Sequence, residues 1–332
     1  MSVRLRRVRL VGAVVAGSVC ALLAAVSGPA HAAPPATAGC DQAQPTLRTI
    51  TVPPPAGVHV VDDRVDVLVP PGYCASGRHY PVLYLLHGAG DTYRSWSANT
   101  DLVSFERAHA FPLIIVMPDG GHNATAGWYS DWLDGRYQYE AFDTGVLPRY
   151  VDSRYRTVRG DRGIAGLSMG GFGALSFAAR HPGMYRVAAS FSGAVDMLYG
   201  APASGVIFDQ LHDAYGTPNE DVWGSQAGNE SVWAAHNPAS LAAKLAGTAL
   251  FLASGTGTPG GAQGDDPGNP GGYGLEHGVF QMNLSLVRAL DRAGVPHTDD
   301  FYAGGYHGWP YWQADLHWAL PQIASILGPS RP

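Results

Sequence analysis

A serine flanked at two positions by glycine on either side is where this chain could do covalent chemistry. The segment Gly163–Gly173 reads GIAGLSMGGFG and contains the pentapeptide Gly166-Leu167-Ser168-Met169-Gly170, a G-x-S-x-G pattern. The apolar run before Ser168 reads as a buried strand and the small residues after it as a helix. A serine between the two must sit on a very tight turn. Glycines at minus two and plus two leave room for that turn, which pushes the hydroxyl out of the sheet. The amide of Met169 then lies at a helix N-terminus, where unpaired N–H groups and the helix dipole favour negative charge. The chain has 43 glycines, so the pentapeptide gains meaning only with partners.

A serine hydroxyl is a poor nucleophile near neutral pH and needs a base. The base needs an acid that fixes its tautomer and stabilises the imidazolium. On an open α/β sheet these follow in the order serine, acid, histidine. Among 13 histidines, His307 has the placement: it follows the last strand candidate, in Gly304-Gly305-Tyr306-His307-Gly308-Trp309, whose small residues let a loop carry it over the nucleophile. His122, His277 and His297 have no such setting. For the acid, Asp265, Asp266 and Glu276 all follow the fifth apolar run, and composition alone does not choose among them. A developing oxyanion needs two amides. Met169 supplies one, and Ala89, in His87-Gly88-Ala89-Gly90, is the candidate for the other. His87 reads as a structural or substrate-facing group.

The elements that must hold these residues are legible as apolar runs. Val65–Val69 alternates and stops at Pro70-Pro71-Gly72, as an edge-side strand does. Pro81–Leu86, Leu113–Met117, Gly163–Leu167, Val187–Phe191 and Ala249–Ala253 are continuous runs of the kind buried on both sheet faces, and Asp299–Ala303 is a weaker one. Helical patterns lie between them, for example Phe280–Ala293. Strands alternating with helices predict a mostly parallel central sheet with helices on both faces. In such sheets ligands bind at the C-terminal ends of the strands, and each candidate above follows a strand end. Asp196–Ala246, with Trp223 and Trp233, falls where a cap or pocket wall is inserted. Gly255–Gly274 reads as a Gly/Pro/Asp loop.

The N-terminus reads as a leader, residues 1–32. Arg4, Arg6, Arg7 and Arg9 precede the apolar stretch Leu10–Val26, and Ala30-His31-Ala32 is an A-x-A cleavage site, so export with cleavage near Ala32 and an extracellular location are expected. Residues 33–57 form a Pro/Ala-rich segment, and 58–328 a single catalytic domain. The leader carries four of the 21 basic residues and no acid, leaving 17 basic against 27 acidic residues and a net charge of −10. That balance argues against nucleic acid and anionic lipid as partners, and no later stretch is apolar enough for stable membrane insertion. Cys40 and Cys74 remain after cleavage and predict a disulfide. No Cys/His cluster has ligand spacing and the glycine-rich loop lacks a D-x-D-x-D-G pattern, so neither metal nor cofactor is expected.

Ser168 in GLSMGG, His87-Gly88 after PVLYLL and His307 in HGWPYW together resemble the esterase D and antigen 85 family of α/β-hydrolases, with similarity from about Val58 to Leu320. The resemblance implies an α/β-hydrolase fold and a serine esterase or acyltransferase that acts on a small-molecule, lipid or glycan ester. Gly255-Thr256-Gly257-Thr258-Pro259 followed by Leu275-Glu276 resembles the region in which the family carries its acid, which favours Glu276. Asp131-Trp132 after Trp128-Tyr129-Ser130 resembles a family segment near the active site. With His87, Gly88 and Trp309 they are candidates for the substrate pocket. Where antigen 85 has an acid before the oxyanion-loop glycine and an arginine shortly after, this chain has His87 and Gly90. His87-Gly88 resembles instead the hydrolytic relatives, formylglutathione hydrolases and feruloyl esterases.

Overall fold

The computed structural model describes residues 46–122, 126–200 and 219–332. The leader, Cys40 and part of the expected cap (201–218) lie outside the described residues.

Eight strands form one sheet in the order β1-β2-β4-β3-β5-β6-β7-β8. They are β1 (Thr46–Thr51), β2 (Arg64–Val69), β3 (Tyr80–Leu86), β4 (Ile114–Pro118), β5 (Thr157–Leu167), β6 (Val187–Phe191), β7 (Ala249–Gly255) and β8 (Thr298–Tyr302). From β3 to β8 all pairings are parallel, while β1–β2 and β2–β4 are antiparallel. This is the mostly parallel sheet that the apolar runs predict, in the α/β-hydrolase arrangement that the resemblance implies. One reading needs correction: β2 is not at the edge. The strand TLRTIT, inside the Pro/Ala-rich segment 33–57, pairs outside β2, with half-buried and exposed residues alternating along it. Its β-branched residues satisfy the period of two, but the prolines around it mask the signal.

Side chains of one strand feed two cores. Val82, Tyr84 and Leu86 of β3 point into one cluster, and Leu83 and Leu85 into the other, as the alternation of a pleated strand requires. The first core is covered by α4 (Met169–Arg180) and α6 (Pro270–Ala293), through Phe172, Phe177, Met282, Leu286 and Leu290. The second is covered mainly by α7 (Trp309–Leu327), through Leu316, Leu320 and Ile323, with Leu102 of α2 (Leu102–His109). Each such side chain contributes about 1.5–3 kcal/mol by leaving water. The remaining helices of five or more residues among the described ones are α1 (Ser95–Asn99), a π-helical turn at Phe142–Val146, α3 (Leu147–Arg154), a five-residue helix at Asn219–Trp223 and α5 (Glu230–His236).

Helix α6 begins ten residues before the expected Phe280. The Asn269 side chain accepts from the Gly272 amide at 2.9 Å, Pro270 occupies the first turn, and Gly294 ends the helix in the left-handed region. These are standard start and stop signals. They place Glu276 well inside the helix rather than at its opening. The glycine-rich loop correspondingly ends at Asn269.

Candidate active site

The site lies where the strand order reverses, between the loops that leave β3 and β5. Ser168 follows β5 directly, with φ 52° and ψ −119°, a conformation that L-residues adopt only under constraint. Its amide donates to the Phe191 carbonyl at 2.9 Å and its carbonyl accepts from Phe172 at 3.1 Å, so β6 and the first turn of α4 clamp it. The flanking glycines are a steric necessity. A Cβ on Gly170 would stand 2.5 Å from the Leu86 carbonyl oxygen and 2.6 Å from that of His87, and one on Gly166 would enter the Gly170 carbonyl.

The His307 ring spans two contacts. Its Nε2 is 2.8 Å from the Ser168 hydroxyl and its Nδ1 is 2.8 Å from Glu276 Oε2. With the Nδ1 proton donated to the carboxylate, Nε2 faces the serine as an acceptor, which is the arrangement a general base requires. The His307 loop is anchored because its amide donates to the Gly272 carbonyl at 3.0 Å, and the Trp312 indole meets the imidazole edge-on. Glu276 is 1 % exposed, and its Oε1 accepts from Ser192, Ser254 and the Gly255 amide. Asp265 and Asp266 stand apart from this relay. Asp265 accepts from the Gly260 amide and the Tyr273 hydroxyl, and the Asp266 amide donates to that same hydroxyl.

The amide of Met169 opens α4. Like the Ala89 amide, it has no acceptor among the described residues. Gly88 packs against Ser168: a Cβ there would be 3.4 Å from the serine Cβ and 2.7 Å from a Leu167 methyl. Asp91, on the same loop, has its carboxyl pushed up by burial, with His87, Ser95, the Gly88 amide and His307 pulling it down.

Three expected pocket residues have other roles. His87 is buried and engaged at both nitrogens: Gly120 donates to Nε2 at 2.7 Å, so Nδ1 carries the proton and donates to the Gly88 carbonyl at 2.8 Å. Asp131 accepts from the Ala141 amide at 3.0 Å. The Trp132 indole donates to the Gly127 carbonyl at 3.1 Å and carries the Arg136 guanidinium on its face. Trp309 is half-buried and meets Trp96 and Trp312 edge-on, and Trp312 in turn meets His307. Sequence reasoning missed Ser192, Ser254 and Trp312. The two serines stand alone at strand ends, where no spacing marks them.

Residues 62–323 match the Esterase family model. The chain belongs to this esterase family. It is 32% identical over 272 residues to a diacylglycerol acyltransferase/mycolyltransferase Ag85B of Mycobacterium avium, covering 77% of this chain and 78% of that protein. An esterase of Mycobacterium tuberculosis is 34% identical over 254 residues, covering 73% of this chain and 52% of that protein. Among solved structures, Mycobacterium tuberculosis MPT51 superposes with a TM-score of 0.68 at 22% identity, covering 85% of this chain and 99% of that one, a likeness of fold. A ferulic acid esterase superposes at 0.63 with 25% identity, covering 86% and 99%. The esterase is thus a carboxylic-ester hydrolase or acyltransferase of the α/β-hydrolase fold. No helix among the described residues is long and apolar enough to cross a membrane.

Proposed function

We propose that this esterase is a secreted serine hydrolase of carboxylic esters that works through an acyl-enzyme on Ser168. Ser168 Oγ attacks the acyl carbon while His307 Nε2 takes its proton. Glu276 holds the Nδ1 proton and stabilises the imidazolium. The Met169 and Ala89 amides meet the oxyanion, an interaction in which one donor is worth on the order of 10²–10³ in kcat. Collapse of the tetrahedral intermediate breaks the bond to the alcohol, which leaves with the proton from His307. Water, deprotonated by His307, then attacks the acyl-serine, and a second collapse releases the acid and restores the hydroxyl. The supporting observation is the unbroken pair of 2.8 Å contacts from Ser168 through His307 to Glu276.

The substrate is read as a small-molecule, lipid or glycan ester. His87 and Gly90 bring no fixed charge to the oxyanion loop, and that favours water over a sugar as acyl acceptor. The competing reading is acyl transfer of the antigen 85 type, supported by the mycolyltransferase relative; the ferulic acid esterase likeness supports a feruloyl or acetyl-xylan type of ester within the hydrolytic reading. A panel of nitrophenyl esters of increasing acyl length, each run with and without a sugar acceptor, tests this. Hydrolysis as the main product with the acceptor present fits the proposal; acyl-sugar as the main product moves the assignment to a transferase.

Secretion belongs to the same proposal, as does a Cys40–Cys74 disulfide. Cys40 lies outside the described residues. A bridge across a loop of that length is worth about 3–4 kcal/mol in the chain-entropy model. Mass spectrometry of secreted protein should find the two cysteines joined and a mature N-terminus near Ala33.

A further inference from the structure

We infer that Ser192 and Ser254 are positioning residues for the acid: with the Gly255 amide they fix one oxygen of Glu276 so that the other is held against His307. The inference rests on the Ser168–His307–Glu276 reading above. The carboxylate divides its contacts cleanly. Oε1 accepts from the Ser192 hydroxyl at 2.8 Å, the Ser254 hydroxyl at 3.0 Å and the Gly255 amide at 2.7 Å. Among the described residues Oε2 meets only His307 Nδ1, at 2.8 Å.

A glutamate needs such help. Its carboxyl hangs from a long side chain on α6 and turns freely about its last torsion, yet Glu276 is buried. A buried carboxylate must be paired or fully hydrogen-bonded. Among the described residues no lysine or arginine pairs with it, and its single ionic partner is His307. A fixed cation there would cancel the field that stabilises the imidazolium. Neutral hydroxyl and amide donors satisfy the carboxylate and leave its charge in place. Three donors on one oxygen also remove the rotational freedom that would let Oε1 and Oε2 exchange.

Ser192 carries a second sign of this role. It follows β6 with φ 48°, in the left-handed region, where glycine sits without strain and serine does not. Its amide donates to the Ala253 carbonyl at 2.7 Å, which fixes the backbone so that the hydroxyl reaches Glu276. Ser254 is the penultimate residue of β7, the adjacent strand, and its hydroxyl is also 3.3 Å from the Gly255 carbonyl; the shorter, charge-assisted contact to Glu276 takes its proton. The two serines thus come from neighbouring strand ends and close on one oxygen.

Removing a donor makes the carboxylate more basic and strengthens its hold on the imidazolium. The acidic limb of the kcat/KM profile then moves to higher pH. Two other titratable groups face Glu276, Tyr302 from β8 and Asp315 from α7. Burial pushes both upward, toward their neutral forms.

The test measures kcat/KM against pH on a short-chain nitrophenyl ester for the mature wild type, Ser192→Ala, Ser254→Ala, Ser192→Gly and Ser168→Ala, with the melting temperature of each. A hydrogen bond to a charged group corresponds to about a tenfold effect. We expect about a tenfold loss of kcat/KM for each serine variant, carried by kcat, and an upward shift of the acidic limb by about one pH unit. Ser192→Gly should show the same loss and shift while melting no lower than wild type, because glycine relieves the strained φ. A wild-type profile in all three variants overturns the inference, as does an activity loss that follows melting temperature with the limb unmoved. In both cases an inactive Ser168→Ala leaves the underlying reading standing. Substantial turnover by Ser168→Ala overturns that reading and this inference with it.

Discussion

At the scale of single residues, the account turns on which carboxylate orients His307 and on what aligns the oxyanion amides. Glu276→Gln keeps the shape of the acid but presents an amide to Nδ1 and removes the charge opposite the imidazolium. Activity should fall by a few orders of magnitude, as with other amidated triad acids. Asp265→Asn and Asp266→Asn should change it little, since neither carboxylate reaches the relay. Steady-state rates of the three amide variants on one ester decide this, and a crippled Asp266→Asn beside a normal Glu276→Gln would move the acid to the loop. His87 belongs to the same scale. The Gly88 carbonyl that its Nδ1 proton binds shares a peptide plane with the Ala89 amide, so His87 aims that amide. His87→Ala should lower kcat about tenfold, less than loss of the donor itself, with KM little changed. Comparison of kcat with KM checks it. The contact between Ser168 and His307, proposed as nucleophile and base, was legible from spacing and position, because a tight turn demands glycines and a late loop histidine stands out. The acid was not, since three carboxylates satisfy the same order; resemblance favoured Glu276, and the structure sets it against His307. His87 could be placed beside the loop but not oriented, because its partner Gly120 is 33 residues away.

At the scale of elements, the strand–turn–helix from β5 to α4 works because it has no room to spare. Gly170→Ala would drive a methyl into the Leu86 and His87 carbonyls, which are backbone and cannot rotate away. The turn would have to shift, at a cost of about 1–3 kcal/mol, and Ser168 with it. A melting curve should show the destabilisation, and activity should fall further than stability accounts for. A variant with wild-type stability and activity would contradict the packing. Strands β3, β4 and β6 were readable because each is a continuous apolar run buried on both faces, whereas β8, polar at its start and half-exposed, left a weaker mark. The start of α6 was misread although its signals are local: Asn269-Pro270 is a cap and first turn, hidden inside a stretch whose glycines suggested a loop. Strand β1 was missed for a similar reason, its alternation lying among prolines. The order of strands in the sheet leaves no local mark, since it is decided by which crossovers pack.

At the scale of the whole molecule, buried acids make stability depend on pH. Glu106 on α2 is fully buried, with no partner among the described residues for either carboxyl oxygen, and burial pushes it from 4.5 up to about 9. A group raised in the fold stabilises fully below its unfolded value and loses that contribution as pH rises toward its folded one, because the unfolded chain then releases the proton. The wild type should therefore lose stability between about pH 4.5 and 9. Glu106→Met should melt higher than wild type at the alkaline end, with the gap closing at the acidic end and activity unchanged. Equal melting differences at both ends would contradict the assignment. Glu140 acts in the opposite sense. Burial raises it, but His181 and Arg180 outweigh that and hold it below 4.5, so its contribution is present above that value and lost as pH falls below it.

The central claim is that Ser168 is the nucleophile of an acyl-enzyme mechanism, and one measurement addresses it most directly. Mature protein is treated with a fluorophosphonate, digested and analysed by mass spectrometry, in parallel with Ser168→Ala assayed for ester hydrolysis. The account predicts a single adduct on the peptide containing Ser168, no adduct on the variant, and a loss of turnover on the order of 10⁴-fold or more with the fold intact. An adduct elsewhere in the chain, or substantial hydrolysis by Ser168→Ala, would contradict it.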